Sequence, residues 1–269
     1  SGAAQPALVG KSSISALRSR IGSAPLRDLV QRCCVPLANE QDHPEAFYGG
    51  LRLVAIDGST FELADEAENA QSFGYPGSRT SAAGHAGYPQ ARCAVLVECA
   101  THAILGANLG PYRSGERELT QPLLARLGPG MLCMADRGFN GFGIGAKPDE
   151  LDPQRAPALE LAALYHQRWE VEAVFDELKT HLRQSRRVLR SKTPELVRQE
   201  FYGWVLAHYA VRWLLHQGAT RHRIPHAELS FKGHVELLRR TQPPSGAFPP
   251  RASQTQATMF DEILQASAC

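Results

Sequence analysis

Little in this sequence points to a membrane, a disulfide scaffold or a structural zinc site. No apolar run among its 269 residues approaches the roughly 20 that a membrane-spanning helix needs. The longest candidate, residues 205–215, is interrupted by His208 and Arg212. Six cysteines are too few for a disulfide framework, and no two form the C-x2-C pair that frames most structural zinc sites. Reduced, mostly buried thiols are expected instead. Among ten histidines, His222 and His226 stand four apart, but Pro225 lies between them and the pair reads as surface. The first residues contain no apolar stretch of signal-peptide type, so an intracellular protein is expected. An excess of one charge is also missing. The 29 Lys and Arg against 27 Asp and Glu leave a formal charge of +2.

What is present is unevenly distributed. Residues 58–157 carry 8 basic and 11 acidic groups, whereas residues 158–240 carry 14 and 9. The basic excess concentrates in Lys179, Arg183, Arg186, Arg187, Arg190, Lys192 and Arg198, interrupted only by Glu195. Such a one-sided run suits a polyanion. Its plainer reading is a solvated basic helix end.

The apolar pattern predicts helices over residues 12–38, with a break at Gly22 to Pro25. Residues 39–50 read as a polar connector. Residues 51–57 (LRLVAID) read as a strand that ends in Asp57 and is stopped by Gly58. The glycines and prolines that follow predict a long loop over residues 58–91. Strands over 91–99 and 103–109 form a hairpin. A helix over 116–127 stops at Gly128-Pro129-Gly130, and a short strand over 131–135 ends at Asp136. A long helix is expected from Pro157 to about Leu182, followed by helices over 194–216 and 229–240. Residues 241–250 are proline-rich. A hairpin combined with a crossover helix implies a mixed sheet.

Two strands thus deliver an aspartate. A strand-end Asp is often only a turn former, but the long helix alters the weight of the pair. At about 100° per residue Tyr165, Arg168, Glu172 and Lys179 fall within an arc of about 60°. An i,i+4 ion pair between Arg168 and Glu172 on a solvated face is the plain alternative. The helix is nevertheless apolar round much of its circumference (Leu164, Trp169, Val171, Val174, Phe175 and Leu178 among others), and a polar stripe on a buried helix needs partners. Three carboxylates can hold a pair of divalent cations, for which oxygen ligands suit Mg²⁺. A metal pair about 4 Å apart suits in-line displacement at phosphorus. Arg168 and Lys179 are spaced to hold the flanking phosphates.

Three blocks carry a family resemblance: "AIDGST" around Asp57, "ADRGF" around Asp136, and "YHQRWEVEAVFDELK", a complete Y-x2-R-x3-E-x6-K pattern over Tyr165, Arg168, Glu172 and Lys179. With them the chain resembles the DDE transposases of insertion-sequence-4 type. The resemblance implies a ribonuclease-H-like α/β fold, a mixed sheet with flanking helices. Asp57, Asp136 and Glu172 would be the catalytic, metal-binding acids for two Mg²⁺ or Mn²⁺ ions. Tyr165, Arg168 and Lys179 match the signature's DNA-contacting and supporting residues, and Arg183, Arg186, Arg187, Arg190 and Lys192 extend the DNA surface. Implied partners are double-stranded DNA (transposon ends and target) and a second copy in a synaptic homodimer, with no membrane and a cytoplasmic, nucleoid-associated location.

The organisation expected is a partial helical, DNA-binding-like segment over 1–50, a catalytic core over 51–182, a helical extension over 183–240 and a loose tail over 241–269. Only 35 residues separate Asp136 from Glu172, where the family usually carries a β-rich insertion. "GFGIGAK" lacks the G-x4-G-K-[ST] pattern of a phosphate loop. Two other readings stay open: a deletion derivative that binds DNA or an intact transposase without cutting, and another metal-dependent nuclease of the same fold.

Overall fold

The computed structural model describes residues 11–77, 87–135, 160, 164, 167–182, 188–224 and 229–241. Two helices come first, α1 (Lys11–Ile21) and α2 (Ala24–Cys33). They are separated where expected, at Gly22, whose φ of 70° favours glycine. The connector that follows holds a 3₁₀ turn (Pro44–Ala46) and a two-residue strand, β1 (Phe47–Tyr48). The remaining elements are β2 (Leu51–Leu63), α3 (Ala67–Phe73), β3 (Gln90–Glu98), β4 (Ile104–Pro111), α4 (Glu116–Leu124) and β5 (Met131–Ala135). Then come α5 (Glu170–Asp176), β6 (Val188–Leu189), α6 (Pro194–His222) and α7 (Phe231–Thr241).

The sheet is mixed, as the hairpin and crossover required. β1, β2, β3 and β4 pair antiparallel in that order, while β5 and β6 pair parallel with β2. Leu53 to Ile56 of β2 are all buried, as are Cys93 to Glu98 of β3. Such continuous burial marks strands covered on both faces.

Two expectations need correction. β2 does not stop at Asp57. It continues to Leu63, because β3 pairs with it residue for residue from Val54↔Glu98 to Glu62↔Gln90. Asp and Gly are poor strand formers, but the ladder overrides them, and a side chain at Gly58 would meet the Cys93 carbonyl at 3.3 Å. Asp57 is therefore mid-strand. Nor is 58–91 one long loop, since it contains the end of β2 and α3. Phe73 of α3 is buried, and Asn69 donates to the Ala64 and Ser191 carbonyls at 3.1 and 3.0 Å.

α6 has 29 residues, about 44 Å at 1.5 Å per residue. Thr193 caps its start by accepting from Leu196 N–H at 3.4 Å, and Arg223 ends it in the left-handed conformation. Its first half packs on the sheet through Val197, Phe201 and Val205. Its second half closes a smaller core with α7 through Val211, Leu215, Phe231 and Val235. Among the described residues no helix is long and apolar enough to cross a membrane. The thiols follow expectation: Cys34, Cys93 and Cys99 are buried, Cys133 half-buried and Cys33 exposed.

Candidate active site

Asp57, Ser59 and Phe61 alternate along β2 and so share one face of the strand. The helix carrying the polar stripe lies against that face. It is not one uniform α-helix as the spacing argument assumed. Residues 160 and 164 are helical, most of the expected 157–166 start lies outside the described residues, and from Gln167 the segment runs as a 3₁₀ turn (Gln167–Trp169), then α5, then a π turn (Glu177–His181). Despite the change of pitch, Arg168 and Lys179 both reach β2. Arg168 Nη1 donates to Asp57 Oδ2 at 3.4 Å, with the two side chains only 11% and 22% exposed. Lys179 Nζ donates to Ser59 Oγ and sits over the rings of Phe61 and Phe175 at 5.4 and 5.5 Å. Cation–π contacts of this kind hold an ammonium in place while leaving it charged.

Glu172 falls between Arg168 and Lys179 on the stripe and is exposed to solvent. The plain alternative, a solvated Arg168–Glu172 pair, is not what forms: Arg168 pairs with Asp57. Asp57 Oδ1 accepts the Gly58 N–H at 2.7 Å. The parallel β2–β5 ladder ends at Ile56↔Ala135, and in the sequence the next residue of each strand is an aspartate, Asp57 and Asp136. Asp136, Tyr165, Arg183, Arg186 and Arg187 lie outside the described residues. Arg190 and Lys192 are exposed ahead of α6, where Lys192 pairs with Glu66 at 3.0 Å. The structure gives them no contact with the Asp57 group.

Asp57 and Glu172 offer oxygen donors only, the chemistry that suits Mg²⁺ or Mn²⁺ rather than zinc. The Asp57 carboxylate is an acceptor with two oxygens, of the chemical type that fits such a cation. Among the described residues no three His, Cys, Asp or Glu side chains gather as a metal cluster.

The other face of this helical segment, through Glu170 of α5 and Glu177 of the π turn, holds a network that the sequence reading missed. Glu177 is 8% exposed and takes Arg212 on both carboxylate oxygens, Nε to Oε2 at 3.0 Å and Nη2 to Oε1. His208, fully buried, meets Oε2 through Nε2 at 2.7 Å. His102, at a φ of 57° in the β3–β4 turn, meets Glu170 through Nε2 at 2.7 Å and Arg212 Nη2 through Nδ1 at 2.7 Å. Burial pushes the His208 imidazole down to about 3, with His102 adding to the effect. It also lowers His102, against the opposing pull of Glu170. Both rings are therefore neutral near pH 7. One tautomer satisfies His102, with Nε2–H donating to Glu170 and Nδ1 accepting from Arg212. Burial draws the Arg212 guanidinium down to about 9, which leaves it charged opposite Glu177. The Phe231 ring covers Arg212 and His208 at 5.0 and 5.1 Å. The available signal was the interruption of the apolar run 205–215 by His208 and Arg212, four apart and thus on one helix face.

The profile of the family described as "Transposase DDE domain" matches residues 146–210, the segment that contains Arg168, Glu172, Lys179 and the start of α6. The chain resembles the insertion-sequence-4 DDE transposases. It is 26% identical over 274 residues to "Transposase InsG for insertion sequence element IS4" of Escherichia coli (strain K12), covering 76% of this chain and 61% of InsG. It is 29% identical over 132 residues to "Putative transposase InsZ" of the same strain, covering 49% of this chain and 43% of InsZ. The chain therefore spans less than two thirds of either transposase. No solved structure matches it.

Proposed function

We propose that this chain is the catalytic core of a cut-and-paste DNA transposase. The reading is carried by the seating of the signature helix on β2, where Arg168 reaches Asp57 and Lys179 reaches Ser59. The transposase-type matches point the same way. The sheet is read as ribonuclease-H-like, supported by an antiparallel β2–β3–β4 meander with β5 returning parallel beside β2. The core is assigned to residues 51–182, a partial helical, DNA-binding-like segment to 1–50, a helical extension to 183–240 and a loose tail to 241–269.

Asp57, Asp136 and Glu172 would hold two Mg²⁺ or Mn²⁺ ions. When bound, such ions supply an activated oxygen nucleophile and stabilise the leaving oxygen. The protein's remaining task is position and countercharge. Arg168 and Lys179 hold the phosphates that flank the scissile one. Tyr165 orients the Glu172 region or touches the DNA backbone. Arg183, Arg186, Arg187, Arg190 and Lys192 neutralise further phosphates. Water attacks the phosphodiester at the element's end, and the released 3′-hydroxyl attacks the complementary strand or the target. Two DNA ends brought together call for a homodimer.

The test is Mg²⁺- or Mn²⁺-dependent cleavage and strand transfer on DNA carrying the element's ends. Glu172→Gln is expected to abolish cleavage while leaving DNA affinity within about twofold. Equal cleavage by that variant would refute the assignment. Binding without cleavage by the unaltered chain would favour the non-cutting derivative. Cleavage without strand transfer or end preference would favour a different nuclease.

A further inference from the structure

The helical segment made of the 3₁₀ turn, α5 and the π turn carries two polar stripes. At about 100° per residue, Glu177 stands about 140° round the helix from Glu172, and Glu170 stands close to Glu177 in projection. The first stripe meets β2 through Arg168 and Lys179. The second meets the β3–β4 turn through His102, and α6 through His208 and Arg212. Between them Val171, Val174, Phe175 and Leu178 are buried. Apolar packing is non-directional, so it fixes where the helix lies better than how far it is turned about its axis. Paired polar groups on opposite sides fix the turn.

We propose that Glu177, clamped by Arg212 and His208, is a positioning residue that sets the rotation of the helical segment 167–182, and so seats Arg168 and Lys179 against Asp57 and Ser59 with Glu172 between them on the same stripe. The inference rests on the nuclease reading above. Its leverage is geometric. Side-chain ends lie about 5–6 Å from a helix axis, so a 10° turn moves a carboxylate by about 1 Å. Misplacement by about 1 Å can cost about 100-fold in rate. The clamp also sits where the pitch changes. The Glu177 carbonyl accepts from Leu182 N–H at 3.0 Å, an i to i+5 bond of the kind that recurs at functional sites. Lys179 follows two residues later.

The full chain would be compared with Glu177→Leu/Arg212→Met, Glu177→Gln and Arg212→Lys. Replacing a buried ion pair with apolar groups of similar volume is often neutral for stability. The double variant is therefore expected to melt within a few degrees of the parent and to bind duplex DNA within about twofold. Its single-turnover nicking of a plasmid bearing the element's ends should be slowed about 10- to 100-fold. Its affinity for Mn²⁺ alone, read by calorimetry, should fall about tenfold. Arg212→Lys, which keeps the charge but loses the planar fork, should fall between parent and double variant. Nicking and Mn²⁺ affinity equal to the parent would overturn the inference. If the double variant does not fold, Glu177→Gln is judged by the same readings, and its failure to fold as well would make the network structural only. A parent that neither nicks nor binds Mn²⁺ would refute the nuclease reading and this inference with it. An active parent with unaffected variants would refute the positioning role alone.

Discussion

Glu98, the last residue of β3, is fully buried. It ties the connector that follows α2 to β2, the strand that carries Asp57. One carboxylate oxygen takes Arg52 Nη1. The other accepts from the N–H groups of Leu37 and Ala38 at 3.0 and 3.1 Å, and from the Thr101 hydroxyl. Four donors thus converge on one buried acceptor group. In Glu98→Gln the amide oxygen can stand on one side only, and the NH₂ must face donors on the other. The less costly orientation keeps the oxygen toward Leu37, Ala38 and Thr101. Arg52 then loses a charged partner but retains the Ala38 carbonyl at 2.8 Å and the Phe47 ring at 4.8 Å. Loss of one charge-assisted hydrogen bond costs about 1.5–3 kcal/mol.

Glu98→Ala leaves both backbone N–H groups without an acceptor, at about 1–3 kcal/mol each, on top of the lost Arg52 bond. The expected cost is about 3.5–9 kcal/mol, a large part of an ordinary domain's 5–15 kcal/mol. Urea unfolding followed by far-ultraviolet circular dichroism gives both values by linear extrapolation. Glu98→Gln should shift the midpoint modestly, and Glu98→Ala clearly more. Two variants that cost the same, or less than about 1 kcal/mol each, would show that the carboxylate does not organise this junction.

Three further outcomes are expected. The His208 imidazole is held far below its ordinary value by burial, so below about pH 6.5 the unfolded chain binds the extra proton. Stability present above that pH is lost toward pH 5, by up to about 1.4 kcal/mol per pH unit, and urea titrations should show a flatter profile for His208→Gln. Burial pushes the Cys34 and Cys93 thiols up to about 12 and raises Cys99 as well. A thiol reagent with mass mapping should therefore label the exposed Cys33 in the native chain and these three only after unfolding. Lys179→Met keeps the apolar stem between Phe61 and Phe175 but loses one phosphate contact, so the slope of log binding constant against log salt should fall by about 0.9. An unchanged slope would remove Lys179 from the DNA surface.

Much of the architecture was legible where strong local signals agreed. β5 has the expected bounds because Gly128-Pro129-Gly130 precedes it and its apolar run is short. The α1–α2 break stands at Gly22 because positive φ and Pro25 act together. α6 runs six residues past the expected end, to His222, since Gly218 alone does not stop it, Pro225 comes only later and the α7 contacts hold the last turns. β2 was read short because Asp57 and Gly58 disfavour strands locally, whereas β3 supplies the pairing from some 40 residues away. α3 has seven residues, too few to show a period. At the site, spacing alone put Arg168 and Lys179 on the side that meets β2. It could not show that Arg168 would choose Asp57 over Glu172, nor that Lys179 would lie between two rings, because those choices depend on what the strand presents. The Glu177 network was hidden because its members come from three distant segments.

The 13-residue β2 also bears on how this gene can change. It is paired to β3 through its central nine residues, and to β5 from Arg52 to Ile56. Side chains alternate faces with a period of two, so one inserted or deleted codon between positions 52 and 57 would turn Asp57 to the wrong side or break both ladders. Point substitution can alter the strand gradually, whereas length variation there is closed to it. Length changes that spare the fold are expected instead where the chain leaves the sheet, such as the glycine-rich stretch between α3 and β3. In a library of random insertions selected for folding, β2 should stand out as a gap.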